Sequence, residues 1–238
     1  VSTAHKIDRI SHDEMLELAA SGAKVLHLRC VEYARRSNIP IHVRSSFSSK
    51  EGTWVLPPDA EGAEDMEEPI IAGVAHDSSE AKITVVGVPD QPGRAGQIFT
   101  TIAEAQVNID MIVQNVSEAD TGRTDISFTL PMSDGQVAVE ALMRTKEEVG
   151  FESIQYDDQI GKLSLVGAGM RTNPGVSATF FKALADAGIN IEMISTSEIR
   201  ISVVTRADQL DDALRALHTA FDLDSDEGEA VVYAGTGR

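Results

Sequence analysis

Residues 82–93 read Lys-Ile-Thr-Val-Val-Gly-Val-Pro-Asp-Gln-Pro-Gly, and residues 107–112 read Val-Asn-Ile-Asp-Met-Ile. The pattern returns later in the chain. Residues 162–167 read Lys-Leu-Ser-Leu-Val-Gly, residues 173–175 read Asn-Pro-Gly, and residues 189–194 read Ile-Asn-Ile-Glu-Met-Ile. Because the order of residue types is the same in both stretches, they are two copies of one unit.

The distance between the two landmarks of each copy is also the same. Fifteen positions separate Gly93 from Asn108, and fifteen separate Gly175 from Asn190. The intervening segments predict a helix, since their apolar residues recur at i, i+1, i+4 and i+5 and form one buried stripe. These residues are Ile98, Phe99, Ile102 and Ala103 in copy one and Phe180, Phe181, Leu184 and Ala185 in copy two. The glycine before each helix suits a tight turn, and we expect Asn108 and Asn190 to take left-handed backbone geometry.

Each copy therefore predicts the strand and helix order βαββαβ of a ferredoxin-like fold. The later strands and helices are predicted at 109–116, 124–130, 135–149 and 152–156 in copy one, and at 191–195, 200–205 and 208–221 in copy two. Copy two has no adjacent closing strand, because an acidic stretch follows its last helix. Either residues 70–76 or residues 230–234 can supply one. We favour the earlier strand, which would place copy one inside copy two.

The composition limits the function classes. The chain of 238 residues suffices for one to three small domains. Its 38 acidic and 20 basic residues give a formal net charge of −18, which disfavours nucleic acid as a partner. The single cysteine excludes an internal disulfide and fits a reducing cytoplasm. No apolar run approaches membrane-spanning length and no signal peptide opens the chain. The first residue is Val, so the chain was cut, lacks its upstream part or uses a non-standard start.

Residues 1–47, the front segment, resemble the end of an α/β domain. Ser11-His-Asp-Glu14 has capping-box spacing and begins a helix that Gly22 ends. The elements expected after it are a strand at 24–27, a helix at 31–36 and a strand at 39–43. This is too little apolar surface for an independent core, so we expect upstream residues to complete it. Residues 48–69 are rich in Pro, Gly and acidic residues and predict an unpacked linker.

The doubled pattern, with Gln-Asn-Val-Ser at 114–117 and Ser-Thr-Ser-Glu at 195–198, resembles the paired ACT regulatory domains of aspartate kinase. Residues 15–26 and 39–46 are similar to the end of the amino-acid kinase domain that precedes them in that family. The resemblance implies an α+β fold: two ferredoxin-like ACT domains in tandem behind a C-terminal remnant of an α/β amino-acid kinase domain. The implied divisions are the remnant at 1–47, an acidic linker at 48–69, a strand completing the second ACT domain at 70–81, and ACT domains at 82–160 and 161–238.

The resemblance also implies a function. Aspartate kinase transfers phosphate from ATP to the side-chain carboxylate of aspartate, the first step of lysine, threonine and methionine biosynthesis. This chain would be its regulatory part, with threonine, lysine or both as feedback effectors. Its protein partner would be a second copy, bound through the ACT domains, or a full-length kinase subunit, and neither nucleic acid nor membrane would be bound. ATP and Mg²⁺ would belong to the complete kinase. We find no Lys-Phe-Gly-Gly or Walker A stretch, so we expect no cofactor and no kinase activity in this chain alone.

The repeated landmarks suit an amino acid as ligand. Helix-start amides after Pro-Gly can receive an α-carboxylate, and Asp110 or Glu192 could counter the α-ammonium group. The resemblance adds the second strand of each ACT domain, which faces the effector in that family. The candidate effector-binding residues are Asp90, Gln91, Pro92, Gly93, Arg94, Ala95, Asn108, Ile109, Asp110, Gln114, Asn115, Ser117, Thr124, Asn173, Pro174, Gly175, Val176, Asn190, Ile191, Glu192, Ser195, Thr196, Ser197 and Glu198. The histidines lack metal-ligand spacing, so neither a metal site nor a catalytic residue is predicted.

Three function classes stay open from the sequence. The first is a regulatory subunit or fragment of aspartate kinase. The second is an active kinase whose upstream half is absent from the sequence. The third is a stand-alone module that binds amino acids or assembles without a kinase partner. The identity of the effector stays open in each class, because backbone groups would form most of such a pocket.

Overall fold

The structure is a computed structural model that describes residues 1–57, 70–116 and 121–224. The described residues form three β-sheets, one in the front segment and one in each copy. No helix among these residues has both the length and the apolar character needed to cross a bilayer.

The front segment forms a three-stranded sheet with two helices. Its elements are β1 (Arg9–Ser11), α1 (His12–Ala20), α2 (Leu28–Arg36), β2 (Ile41–Val43) and β3 (Thr53–Leu56). The strand order is β1-β3-β2, with β1 and β3 parallel. The capping box predicted from the sequence is present, since Ser11 and Glu14 bond each other's backbone N–H at the start of α1.

Copy one is a four-stranded antiparallel sheet with its helices on one face. It follows β4 (Gly73–Asp77) and contains β5 (Glu80–Pro89), α3 (Arg94–Glu104), β6 (Ile112–Gln114), β7 (Arg123–Pro131), α4 (Gly135–Arg144), α5 (Lys146–Val149) and β8 (Ser153–Asp157). The strand order is β6-β7-β5-β8, the ferredoxin-like arrangement. The apolar stripe of α3 packs on β5 and β7, and the buried core includes Ile83, Val85, Ile98, Ile102, Ile126 and Phe128.

Copy two repeats this arrangement, with β4 from before copy one as its closing strand. It contains β9 (Ile160–Val166), α6 (Gly175–Asp186), β10 (Met193–Thr196), β11 (Arg200–Arg206) and α7 (Leu210–Ala220). Its strand order is β10-β11-β9-β4, so the closing strand comes from before copy one and runs antiparallel to β9. Copy one is thereby inserted into copy two. The late alternative at 230–234 lies outside the described residues.

The two sheets meet through the faces that carry no helices. Met111 and Val113 of copy one form an apolar cluster with Ile160, Met193 and Val204 of copy two. Met111 and Met193 are the same residue of the repeated pattern. The repeat therefore encodes the contact between the copies as well as the fold of each copy.

The front segment completes its core on copy two. Ile10, Met15, Leu18, Val31 and Val55 form one buried cluster with Ala72, Ala75 and Val166. The last three residues lie on or beside β4 and β9. The small core expected from the sequence is thus extended by the sheet of copy two.

Three expectations for the front of the chain are corrected. Residues 24–27 form a turn instead of a strand, since Val25 is 65% exposed and the His27 side chain caps α2. Helix α2 accordingly begins at Leu28, three residues before the predicted start. The expected linker contains β3, whose Val55 is fully buried between the neighbouring strands. Residues 58–69 of that linker lie outside the described residues.

The turn after the first helix of each copy also differs from expectation. The left-handed residues are Gln106 and Gly188, with φ of 57° and 71°, instead of Asn108 and Asn190. Strands β6 and β10 begin later than predicted, at Ile112 and Met193. The chain therefore turns two residues earlier than the polar side chains suggest.

Candidate functional site

A pocket of about 360 Å³ opens where β5 of copy one passes into α3. The turn depends on Gly93, which caps the helix with φ of 95°, a geometry that costs glycine little. The predicted effector residues Asp90, Gln91, Pro92, Gly93, Arg94, Ala95, Gln114 and Thr124 line the pocket together with Val88, Pro89 and Ile126. The structure thus brings the copy-one loop and two strand residues together in one concave site.

The loop that lines this pocket is held by hydrogen bonds outside it. Asp90 donates its N–H to the Gly122 carbonyl at 2.9 Å. The Arg94 guanidinium donates to the Glu148 carbonyl at 2.8 Å and to the Gln97 side chain at 3.1 Å. Helix α3 begins without a side-chain cap, which leaves its first-turn amides suited to an anionic group.

Strand residues form the opposite wall. Gln114 is exposed at the end of β6, opposite Ile126 of β7. The Thr124 hydroxyl donates to the Asn115 carbonyl at 2.6 Å, which ties the end of β6 to β7. Asn115 itself lines a neighbouring cavity of about 210 Å³. The predicted residue Ser117 lies outside the described residues.

Asn108, Ile109 and Asp110 are not among the residues that line this pocket. Asp110 donates its N–H to the Thr129 carbonyl at 2.9 Å, and its carboxylate accepts from the Lys162 ammonium at 2.7 Å. Lys162 belongs to β9 of copy two, so Asp110 makes an ion pair between the copies. This differs from the expectation that Asp110 meets a ligand's ammonium group.

Glu192 occupies the corresponding position in copy two. It donates its N–H to the Val204 carbonyl at 2.8 Å, and its carboxylate accepts from Lys82 of copy one. It also accepts from Arg206 at 3.3 Å. The lysine that opens each copy therefore pairs with the acid of the other copy. The acid of the repeated Asn-Ile-acid sequence therefore makes the same contact in both copies, an ion pair with the first lysine of the other copy.

The two lysines differ in their surroundings. The Lys162 side chain is 1% exposed and also donates to Glu80, whereas the Lys82 side chain is 19% exposed. Burial acts to lower the pKa of Lys162, but the Glu80 and Asp110 carboxylates outweigh it, so the pKa lies above its ordinary value. Lys162 is therefore a buried cation shared between two acids. Neither lysine was predicted as functional, although its recurrence in two largely apolar strands was a signal.

The copy-two residues lie in other places. Asn173, Pro174, Gly175 and Val176 line a cavity of about 890 Å³ between copy two and the front segment. Asn173 donates to the Gly169 carbonyl at 2.9 Å. Ser195 and Thr196 lie on edge strand β10, with Ser197 and Glu198 in the turn after it. Asn190 and Ile191 precede Glu192 at the contact between the copies. The cavity of about 890 Å³ is not lined by Asn190, Ile191, Ser195, Thr196, Ser197 or Glu198.

No group of three or more His, Cys, Asp or Glu side chains within 1–57, 70–116 and 121–224 could hold a metal ion. The polar groups of the copy-one site include its loop amides and the side chains of Asp90, Gln114 and Thr124.

Family models agree with this architecture. The ACT domain model matches residues 83–145 and 163–221, and the amino acid kinase family model matches residues 1–45. The fold and these matches define a class of protein in which two ACT domains follow the end of an amino acid kinase domain.

The relatives identify the family within that class. An aspartokinase of Mycolicibacterium smegmatis is 60% identical, covering 100% of this chain and 56% of the relative. One of Corynebacterium glutamicum is 54% identical with the same coverage. The crystal structure of the regulatory subunit of aspartate kinase from Thermus thermophilus, ligand-free, is 43% identical with a TM-score of 0.60, covering 64% of this chain and 99% of that chain. This chain belongs to the aspartokinase family, and it spans little more than half the length of these curated relatives. The resemblance and the fold class expected from the sequence are confirmed.

Proposed function

We propose that this chain is the regulatory part of an aspartate kinase and that it binds an end-product amino acid, threonine or lysine or both, for feedback inhibition. The observation that carries the proposal is the copy-one pocket, where eight residues expected at an effector site lie around one cavity of about 360 Å³. The size suits a ligand as small as one amino acid. Membership of the aspartokinase family supports the regulatory role.

The residues that line the pocket would bind an amino acid in one orientation. The α-carboxylate would lie on the uncapped first turn of α3, where N–H groups and the helix dipole favour an anion. Among the lining residues Asp90 is the one carboxylate. We therefore assign it, in place of Asp110, as the partner of the α-ammonium group. Gln114 and Thr124 would contact the side chain of the ligand.

We also propose that the chain pairs with a second copy, or with a full-length kinase subunit, along strands β6 and β10. Both strands lie at sheet edges in the described chain, and edge strands offer unpaired backbone groups. Ile112 and Ile194 on these strands are 49% and 47% exposed. A partner that continues either sheet would bury these side chains, and on β6 it would also cover the Gln114 side of the pocket. Light scattering that gives a 25.5 kDa monomer with threonine and lysine both present would contradict this pairing.

The phosphotransfer itself is proposed for the complete kinase. ATP and Mg²⁺ would be held by the part of the relatives that this chain does not span, and phosphoryl transfer depends on positioning both. The 238-residue chain alone should show no aspartate-dependent ATP turnover. Such turnover by the purified chain would overturn this part of the proposal. The single cysteine and the family role support a cytoplasmic location.

Calorimetry with threonine, lysine and methionine in turn tests the effector proposal. We expect at least one of these amino acids to bind the parent chain, and Asp90→Asn to lower its affinity about ten- to a hundredfold, the loss of a charge-assisted hydrogen bond. Asn173→Ala in the copy-two loop is the matched control and should leave the affinity within about twofold. If no amino acid binds, or if Asn173→Ala weakens binding as much as Asp90→Asn does, the copy-one site is misassigned.

A further inference from the structure

Glu14 belongs to the front segment, but one of its carboxylate oxygens bonds copy two. The residue is 4% exposed. Its Oε2 accepts from the N–H and the hydroxyl of Ser11, at 3.3 and 2.8 Å, within the capping box of α1. Its Oε1 accepts from the N–H of Ala168 at 2.9 Å. One buried side chain therefore both caps α1 and binds the loop that joins β9 to α6.

Ala168 lies in the copy-two loop that corresponds to the pocket loop of copy one. The counterpart of Ala168 in copy one is Val88, which pairs with Thr124 in the sheet and lines the copy-one pocket. Strand β9 ends at Val166, so the Ala168 N–H lies beyond the strand and is satisfied by Glu14. In copy two, the loop that corresponds to the pocket loop thus binds a carboxylate of the chain itself.

Two further contacts fix α1 to copy two. Glu17, one turn after Glu14, pairs with Arg200 at the start of β11 at 3.1 Å. Gly22, just after the helix, lies so close to β4 that an added Cβ would be 2.3 Å from the His76 carbonyl oxygen. The start, middle and end of the helix therefore touch a loop and two strands of copy two, and the bond from Glu14 to the loop comes from the start.

We propose that Glu14 is a built-in ligand of the copy-two loop, which couples the position of that loop to helix α1. Helix α1 lies within residues 1–45, the part that matches the amino acid kinase family. A displacement of the loop therefore changes the capping of α1, and loss of the cap loosens the loop. Such coupling is reciprocal by thermodynamic necessity. It requires no bound amino acid, so it stands or falls separately from the effector site.

Hydrogen exchange of the whole chain without added ligand tests this coupling. Glu14→Ala removes the bonds to Ser11 and to Ala168, whereas Ser11→Ala removes only the hydroxyl of the capping box. We expect Glu14→Ala to speed exchange at least about tenfold in both α1 and the 167–175 loop. Ser11→Ala weakens the cap but keeps the bond from Glu14 to Ala168, so it should speed exchange in α1 and, through the coupling, speed loop exchange less than Glu14→Ala does.

Glu14→Gln and Glu17→Gln complete the design. Glu14→Gln keeps the shape of the side chain, so it reports the loss of the charge if Glu14→Ala unfolds the front segment, and it should speed exchange in the loop. Glu17→Gln weakens an attachment outside the loop and should leave loop exchange unchanged. The proposal is overturned if both Glu14 variants leave the loop at the parent rate, or if Glu17→Gln speeds loop exchange as much as they do.

Discussion

Copies one and two have the same strand order, and a pocket between the loop after the first strand and the second strand is found in the described part of copy one. Strand β5 runs on to Pro89 through an irregularity between Val85 and Val88, where Gly87 has φ of 67°. Strand β9 stops at Val166, and a short 3-10 turn follows. An added Cβ on Gly167, just before that turn, would lie 2.3 Å from the Ile70 carbonyl oxygen. The repeat thus specifies the fold and the contact between the copies, while the loop after the first strand specifies the pocket.

The largest effect should come from the buried lysine of copy two. Lys162→Met leaves the Glu80 and Asp110 carboxylates facing each other without their cation, so we expect a loss of about 3–5 kcal/mol in unfolding free energy. Lys82→Met is the matched change in copy one. It should cost about 1 kcal/mol, since the site is partly exposed and Glu192 keeps Arg206. Urea denaturation measures both, and equal losses would mean that the two ion pairs are equivalent.

The second effect concerns the glycine that precedes the first helix of each copy. Gly93 has a left-handed backbone, whereas Gly175 does not, and an added Cβ meets nothing within 4 Å at either position. Gly93→Ala should therefore cost about 1–2 kcal/mol through backbone strain alone. Gly175→Ala, at the first residue of α6, should be neutral or slightly stabilising. Thermal denaturation of the two variants checks this, and a larger loss for Gly175→Ala would contradict the difference between the loops.

A smaller effect is expected on ligand affinity from the second strand of each copy. Gln114 lines the copy-one pocket, and Thr196 is its counterpart in copy two. Gln114→Ala should lower the affinity for the bound amino acid about three- to tenfold, the value of one neutral hydrogen bond. Thr196→Ala should leave it unchanged in the isolated chain. A reversed order of the two effects, measured by calorimetry, would place the ligand in copy two.

The smallest effect should come from Arg206, which bridges Asp157 of copy one at 2.6 Å and Glu192 of copy two at 3.3 Å. Burial acts to raise the pKa of Asp157, but the Gln159 N–H and Arg206 together hold it below the ordinary value of 3.8. Because this pKa is depressed on folding, the stabilisation is present above the unfolded pKa and is lost as pH falls through the folded one.

Arg206→Gln should therefore lower the unfolding free energy near pH 7 less than Lys82→Met or Gly93→Ala does, because solvent screens this partly exposed ion pair. The difference from the parent should shrink below pH 3.8. Urea denaturation at both pH values provides the measurement. A difference that grows on acidification would show that Asp157 is not the partner that matters.

The fold could be predicted from the sequence because each copy carries its own periodicity and turn residues. The matched spacing from Gly93 to Asn108 and from Gly175 to Asn190 places the elements without any distant contact. The copy-one loop was also predicted, since Pro-Gly is a local signal.

The roles of the acids were not predictable in the same way. Asp110 follows a helix at a position where a ligand's ammonium group could lie, and its actual partner, Lys162, comes from the other copy. The local sequence predicts that Glu14 caps α1. Its second bond, to Ala168, depends on packing between segments that are far apart in the chain. A short pattern specifies its own backbone, whereas the partner of a charge depends on how the segments pack.

The insertion of copy one into copy two has a consequence for the order of assembly. Strands β4 and β9 must pair across the whole of copy one, and closing such a long loop in a disordered chain costs entropy. Folding of copy one removes most of that cost. Lys82, near its beginning, lies opposite Asp157, near its end, so the folded domain delivers Asp77 and Ile160 to neighbouring positions. Folding of copy one therefore favours nucleation of copy two. Once copy one has folded, β4 and β9 need to close only a short loop in order to pair, instead of a loop as long as copy one.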